Sequence, residues 1–368
     1  MTIRRFRPPL TAALVLGLSL AVLAPAVLFA EGSRAAAVEG ISYDSACPSG
    51  TTRLAPKSVH VNQDGSTNVL YYVDGVENSV VVPPPQFNPR TSSSKLLAQF
   101  GLPPRPTDAH GLNAWNEQMV NWHRNPDATL CSSNLRNDTA NVTLDTRIWS
   151  GWTLDQAQAG TYVGVQGDYT QPKVTTSCAN TLMSDWVGLG GVTSGSLIQD
   201  GTYSPSHDLA SPSAWYEYIG PNHSNNAISM PSVTVHEGDH IHNLVLIQKS
   251  TGQTTFYVQD GTTGTSQSVI VNLNTSIYYD GTSAEWVDER PTNAITGNYY
   301  TLPDFGVVHW TNAKAYNLHG DWLDFGNHSP VLLKMTSDGT SKGTWLAQPN
   351  LPPIDNVTYD DQQYNACY

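Results

Sequence analysis

The chain has 368 residues, a formal net charge of −13 and only 13% charged side chains, so it can build a sizeable core and one or two domains. Without residues 1–37 the balance becomes 14 basic against 30 acidic side chains, a net of −16, which argues against nucleic acid as a partner and suits an acidic exterior. With so few charges there are few native ion pairs to lose when carboxylates protonate, so acid has little leverage on the fold.

The start reads as a targeting segment. Arg4, Arg5 and Arg7 precede an apolar run from Leu10 to Ala30, and small residues follow at Ala35-Ala36-Ala37. This is the layout of a secretory signal peptide over residues 1–37, and Pro25 with the Ala-rich exit favours cleavage over retention as an anchor. The protein is therefore expected to be secreted and extracellular, with no membrane attachment after cleavage. Cys47, Cys131, Cys178 and Cys367 fit an oxidising compartment, and their three possible pairings stay open.

Residues 38–144 are punctuated by "VVVPPPQFNP" and "GLPPRP" around two predicted helices. One spans Ser94 to Phe100, stopped by Gly101 and Pro103; the other runs from about Leu112 to Arg124. Leu112, Trp115, Met119 and Trp122 form one stripe of the second helix, which predicts docking onto a larger body rather than a ligand box. From Thr146 onward short alternating runs recur between Gly, Asn, Asp and Thr turns, for example "SDWVGLGG", "SLIQDG", "SAWYEYIG", "HIHNLVLIQ" and "AEWVDERP". That spacing predicts a large antiparallel all-β domain, a sandwich or a barrel, preceded by an irregular segment with short helices.

One stretch invites a metal reading. His236-Glu237-x-x-His240 spells the H-E-x-x-H signature, which works only on a helix, where residues four apart share a face. Here Val233 and Val235 alternate with polar neighbours, Glu-Gly-Asp reads as a turn, and a β-rich run resumes at His240. No metal or other cofactor is therefore expected, and a zinc peptidase using His236, Glu237 and His240 is the weaker alternative.

Three stretches place polar groups among aromatics: 185–201, 213–220 and 284–291. On a strand, Glu285 and Glu289 project to one face while Trp286 and Asp288 project to the other, and Trp215 shares a face with Glu217. Carboxylates set among Trp and Tyr on a sheet are candidates for acid–base work. Together, Trp186-Val-Gly-Leu-Gly-Gly191, Leu197-Ile-Gln-Asp-Gly201, Ala214-Trp-Tyr-Glu-Tyr218, Gly238-Asp239, Ala284-Glu-Trp-Val-Asp-Glu289 and Phe305-Gly-Val-Val-His-Trp-Thr311 resemble, in order and spacing, the glutamic peptidases, the eqolisins. The resemblance covers roughly residues 146–368.

That resemblance implies a β-sandwich of two antiparallel sheets of the lectin/glucanase type over residues 145–368, with 38–144 resembling a propeptide. It implies an endopeptidase acting on polypeptides in acid, expected to be a monomer, with Gln199 as the catalytic Gln and Glu289 as the catalytic Glu. Trp186, Trp215, Glu217 and Trp286 would line the groove and bind substrate. Two departures stand out: Gly190 replaces the family's usual Asp, and Asp200 follows the Gln where Thr or Ala is usual, putting an extra charge near the pair. The alternative from another class is a carbohydrate- or surface-binding sandwich that kept the fold without catalysis.

Overall fold

Runs that alternate apolar and polar residues favour extended strands because successive side chains then face opposite sides, and here the strands assemble into two antiparallel sheets packed face to face. The computed structural model describes residues 40–139, 145–155, 161–175, 180–205, 211–224, 226–319, 321–325, 328, 330–350 and 358–368. The expected signal peptide lies outside them, as does Cys178.

The first sheet runs, strand by hydrogen-bonded strand, through Cys131–Ser132, Ile228–Thr234, Ser213–Gly220, Leu197–Pro205, Leu182–Gly190, Ser283–Glu289, Trp149–Asp155 and Val331–Thr336. The second runs through Ser58–Val61, Thr67–Val73, Val76–Val82, Ser266–Asn272, Gln253–Asp260, His240–Gln248, Tyr162–Thr170, Val307–Asn317, Thr358–Gln363 and Trp345–Pro349. At Met335 and Thr336 the Val331–Thr336 strand leaves the first sheet to pair with Ala347 and Trp345 of the second, which makes a corner of the sandwich.

Val187, Ile198, Tyr216 and Trp286 of the first sheet meet Val165, Ile241, Phe256 and Val258 of the second in the main core. Each Val, Ile or Phe side chain withdrawn from water there stabilises the fold by about 1.5–3 kcal/mol. The first sheet is covered on its outer face as well. The Leu197–Pro205 strand is buried at every residue, because Leu197 and Tyr203 join Trp149, Trp186 and Trp215 in a second apolar cluster on that side.

The segment before residue 140 is woven into both sheets: Val76–Val82 pairs with Ser266–Asn272, and Cys131–Ser132 pairs with Ile228–Thr234. Its helices span Ser94–Gln99 and Ala109–Val120. The second starts three residues before the expected Leu112 because Asp108 caps it, accepting a 2.7 Å bond from the Gly111 amide. Trp115 and Met119 are buried against Leu244 and Tyr257 on the outside of the second sheet, with Leu112 and Trp122 packed beside them, so the stripe is a docking face. Cys47 and Cys131 form a disulfide within this segment, and Cys367 is disulfide-bonded too.

The H-E-x-x-H residues lie on the turn between Ile228–Thr234 and His240–Gln248. Asp239 accepts from the His236 amide at 2.7 Å, and Gly238 adopts φ +86°, a left-handed conformation that glycine enters without strain. The imidazoles diverge, His236 towards Asp239 and His240 towards Asp168. Among the described residues no group of His, Cys, Asp and Glu side chains has an arrangement that could hold a metal ion.

Candidate active site

Period-2 alternation places Gln199, Gly201 and Tyr203 on the outer face of one strand, and Trp215 and Glu217 on the outer face of the next, where Gln199 and Glu217 are directly opposite. Gln199 Nε2 donates to Glu217 Oε2 at 3.0 Å, and both side chains are wholly buried. Two strands away Glu289 ends the Ser283–Glu289 strand, opposite Ser184 on one side and Trp149 on the other. Trp186, on the intervening strand, donates from Nε1 to Glu289 Oε2 at 2.8 Å, and its ring meets Trp149 edge to face at 4.9 Å. Gly201 is dictated by this arrangement. A Cβ there would come within 2.2 Å of the Asp185 carbonyl and 2.6 Å of Trp186 Cβ, so only glycine lets the Gln199 strand lie beside Trp186.

A piece of the chain's own N-terminal segment crosses these groups. Leu135–Arg136 adds as an antiparallel strand to Thr292–Asn293, just beyond Glu289. The next amide, Asn137, donates to Glu217 Oε2 at 3.1 Å, and the one after, Asp138, donates to Glu289 Oε1 at 3.1 Å. Consecutive residues are ~3.8 Å apart along the chain. Glu217, with Gln199 attached, and Glu289 are therefore spanned by a single residue's length of extended backbone. Asn137 Nδ2 also reaches Glu217 Oε2 at 3.1 Å and Tyr203 Oη at 2.9 Å. Tyr203 is held in turn by stacking on Trp215 at 5.1 Å.

Burial under this cover pushes both carboxyls well above the usual glutamate range. For Glu289 it outweighs the opposing donors Asp138 N–H and Trp186 Nε1, and for Glu217 it outweighs the donors Asn137 and Gln199. The arrangement brings together a titratable carboxyl, a non-titrating amide and an extended peptide, which are the parts that water-mediated attack on an acyl group requires.

Of the groups named from sequence, Gln199, Glu217, Glu289, Trp186 and Trp215 share the outer face. Trp286 does not: it points between the sheets, donating to the Gln166 carbonyl at 2.7 Å and packing edge-on against Phe325 at 4.8 Å. Asp200 also points inward, accepting from the Tyr257 amide at 2.8 Å, so it adds no charge beside Gln199. Gly190 has φ +93°, and a Cβ there would lie 2.4 Å from the Ser196 carbonyl; the nearest carboxylate to that position is Asp280. Sequence reasoning missed Tyr203, Trp149, Asn137 and Asp138. Tyr203 was within reach, since it shares the face of Gln199 at i+4. The other three meet the site only through long-range contacts.

A model of the Peptidase A4 family matches residues 147–346. Among solved structures the chain is similar to scytalido-glutamic peptidase in complex with a peptide-based transition-state analogue, at 18% identity and TM-score 0.49, over 59% of this chain and 98% of that one. It is similar also to SCP-B, a member of the eqolisin family of peptidases in complex with the tripeptide Ala-Ile-His, at 17% identity and TM-score 0.47 over the same shares. No curated protein matches. The family match spans more than half of the chain and contains Gln199, Glu217 and Glu289, so this chain belongs to the Peptidase A4 family, the eqolisins, and is a glutamic-type peptidase.

Proposed function

We propose that the protein is a secreted, acid-acting endopeptidase in which Glu289 is the general base and acid, Gln199 is the oxyanion donor, and residues 38–144 form a removable leader. One observation carries the assignment: consecutive amides of an extended peptide, Asn137 and Asp138, reach Glu217 and Glu289. A substrate laid along the same path would meet Gln199 and Glu289 on either side of one peptide bond.

The chemistry then follows from the side chains. Ionised Glu289 holds a water and takes its proton as the oxygen attacks the acyl carbon. Glu217 engages one of the two hydrogens on Gln199 Nε2, fixing the amide and leaving the other for the oxyanion. Glu289 returns the proton to the nitrogen as the C–N bond breaks. While Asp138 N–H occupies Glu289 Oε1 the water has no seat, so the covered form is latent. Loss of the leader rehydrates the carboxyl and lets it fall towards its ordinary value of about 4.3, where it ionises in mild acid. Because Cys47 and Cys131 pair with each other inside the leader, cutting after them leaves no disulfide to the rest of the chain. The basic start and apolar run at residues 1–37 support export.

Digestion of casein across acidic pH by wild type and Glu289→Gln tests the assignment. The variant keeps the shape but lacks the base, so turnover should fall to background with the melting temperature nearly unchanged. Wild-type activity in a folded Glu289→Gln preparation would refute it.

A further inference from the structure

Residues 135–138 cross the site, with the strand Leu135–Arg136 laddered to Thr292–Asn293 and the nitrogen of the Asn137–Asp138 bond at Glu289. The Asn137 side chain fills a fully buried pocket in which both hydrogens of its carboxamide are used, one by Tyr203 Oη and one by Glu217 Oε2. Its Oδ1 has no protein partner among the described residues, so the pocket reads the NH₂ group and not the carbonyl. Tyr203 is held in place by its stacking on Trp215 and is buried.

We propose that the groove selects asparagine at the residue whose carbonyl is attacked, with Tyr203 and Glu217 as the specificity-determining residues. This rests on the peptidase assignment above. Leucine, of similar size, would leave the buried Tyr203 hydroxyl without its partner and take from Glu217 Oε2 one of its three donors, the backbone amide of residue 137 and Gln199 Nε2 remaining. Aspartate offers one hydrogen when protonated and an unpaired buried charge when ionised. Glutamine overfills the site by a methylene. The reaction remains plain hydrolysis: the C–N bond after the selected residue breaks, the water oxygen bonds to the acyl carbon, and its hydrogens end on the new carboxyl and amine.

The test uses the full chain after acid activation and internally quenched peptides of sequence Leu-Arg-Xaa-Asp-Thr with Xaa as Asn, Leu, Asp or Gln. Mass spectrometry locates the cut, and casein digestion runs in parallel. The Asn peptide should be cut after Xaa with a kcat/KM roughly 10- to 100-fold above the Leu peptide, the loss expected for stranding buried polar groups. Tyr203→Phe should narrow that ratio several-fold; if it fails to fold, the wild-type series decides alone. Casein hydrolysis with equal kcat/KM for Asn and Leu, or a cut at another bond, overturns the inference and leaves the peptidase assignment standing. No hydrolysis of casein or of any peptide overturns both.

Discussion

Raising the pH should loosen the sandwich from the inside. Asp185 and Asp288 are directly opposite on neighbouring strands of the first sheet, and Asp361 reaches them from the second, accepting from Ser150 Oγ at 2.7 Å. All three are buried, and the groups that act on them are one another, Ser150, Ser204, the Gln362 amide and Trp310, whose Nε1 donates to Asp288 at 3.2 Å. Burial, reinforced by repulsion from Asp361, raises Asp185 from 3.8 to about 7, and burial with mutual repulsion raises Asp288 and Asp361 well above the ordinary range. A carboxyl with a raised folded pKa gives its full stabilisation below the unfolded pKa and loses it as pH climbs through the folded one. For Asp185 alone the window runs from about 4 to about 7, and some three pH units at 1.36 kcal/mol each amount to roughly 4 kcal/mol. That is a large share of the roughly 5–15 kcal/mol that holds a domain folded, and it corresponds to a melting-temperature drop on the order of 10 °C. The measurement is thermal melting followed by circular dichroism across that window, on Glu289→Gln protein so that self-digestion does not intervene. Other buried carboxyls slope the same way, so Asp185→Asn isolates the triad: its curve should be flatter than that of the parent by about one proton. A melting temperature that is flat or rises between acid and neutral pH, or an Asp185→Asn curve parallel to the parent, would refute the reasoning.

Gln199→Ala should spare the base and cost about 10²–10³ in kcat, read from initial rates on a quenched peptide. Gln199→Glu should cost more, because a third buried carboxyl beside Glu217 weakens the oxyanion site and raises the pair's titration together. Trp186→Phe removes the 2.8 Å donor that favours ionised Glu289. The acid limb of the rate profile should therefore move up by about one pH unit, where an unmoved limb would show that the indole only packs. Acid-activated enzyme should begin between residues 125 and 145 by N-terminal sequencing, at Asp138 if the bond lying against Glu289 is the one cut. A start near residue 38 would exclude the leader.

Much of this was legible because strands report themselves through period 2 and through turn residues. Glu285, Glu289, Trp286 and Asp288 sorted onto two faces by parity alone, and the ladder confirms that sorting. The same parity should have removed Trp286 from the groove and Asp200 from the charge beside Gln199, since Trp286 is three residues from Glu289 and Asp200 one from Gln199, odd offsets that face away. Motif resemblance pulled them in where geometry excluded them. The pairing of Cys47 with Cys131 and the covering of the site by Asn137 and Asp138 had no local signal. Their partners lie 80 and 151 residues away for Asn137 and Asp138 and 84 for the disulfide, separations that only the assembled sheets bring to contact distance. Gly201 shows the reverse case, a motif residue whose reason appears only once Trp186 is placed beside it.

The Ser283–Glu289 strand ends in two acids that face opposite ways. Glu289 looks outward to Trp186 and the peptide groove, and Asp288 looks inward to Trp310 and the other aspartates. On the proposed reading, activity needs Glu289 to lose its proton, while the fold needs Asp288 and Asp185 to keep theirs. Both conditions hold only if the groove carboxyl titrates below the core carboxyls. Hydration separates them: release of the leader opens Glu289 to water and lowers it, whereas the inter-sheet triad stays dry and high. The width of the working pH range is then set by the gap between two neighbouring residues on opposite faces of one strand. Trp310→Phe removes the 3.2 Å donor that favours ionised Asp288, so it should push the core titration further above that of Glu289 and steepen the loss of stability towards neutral pH, read as a lower melting temperature there than in acid relative to the parent.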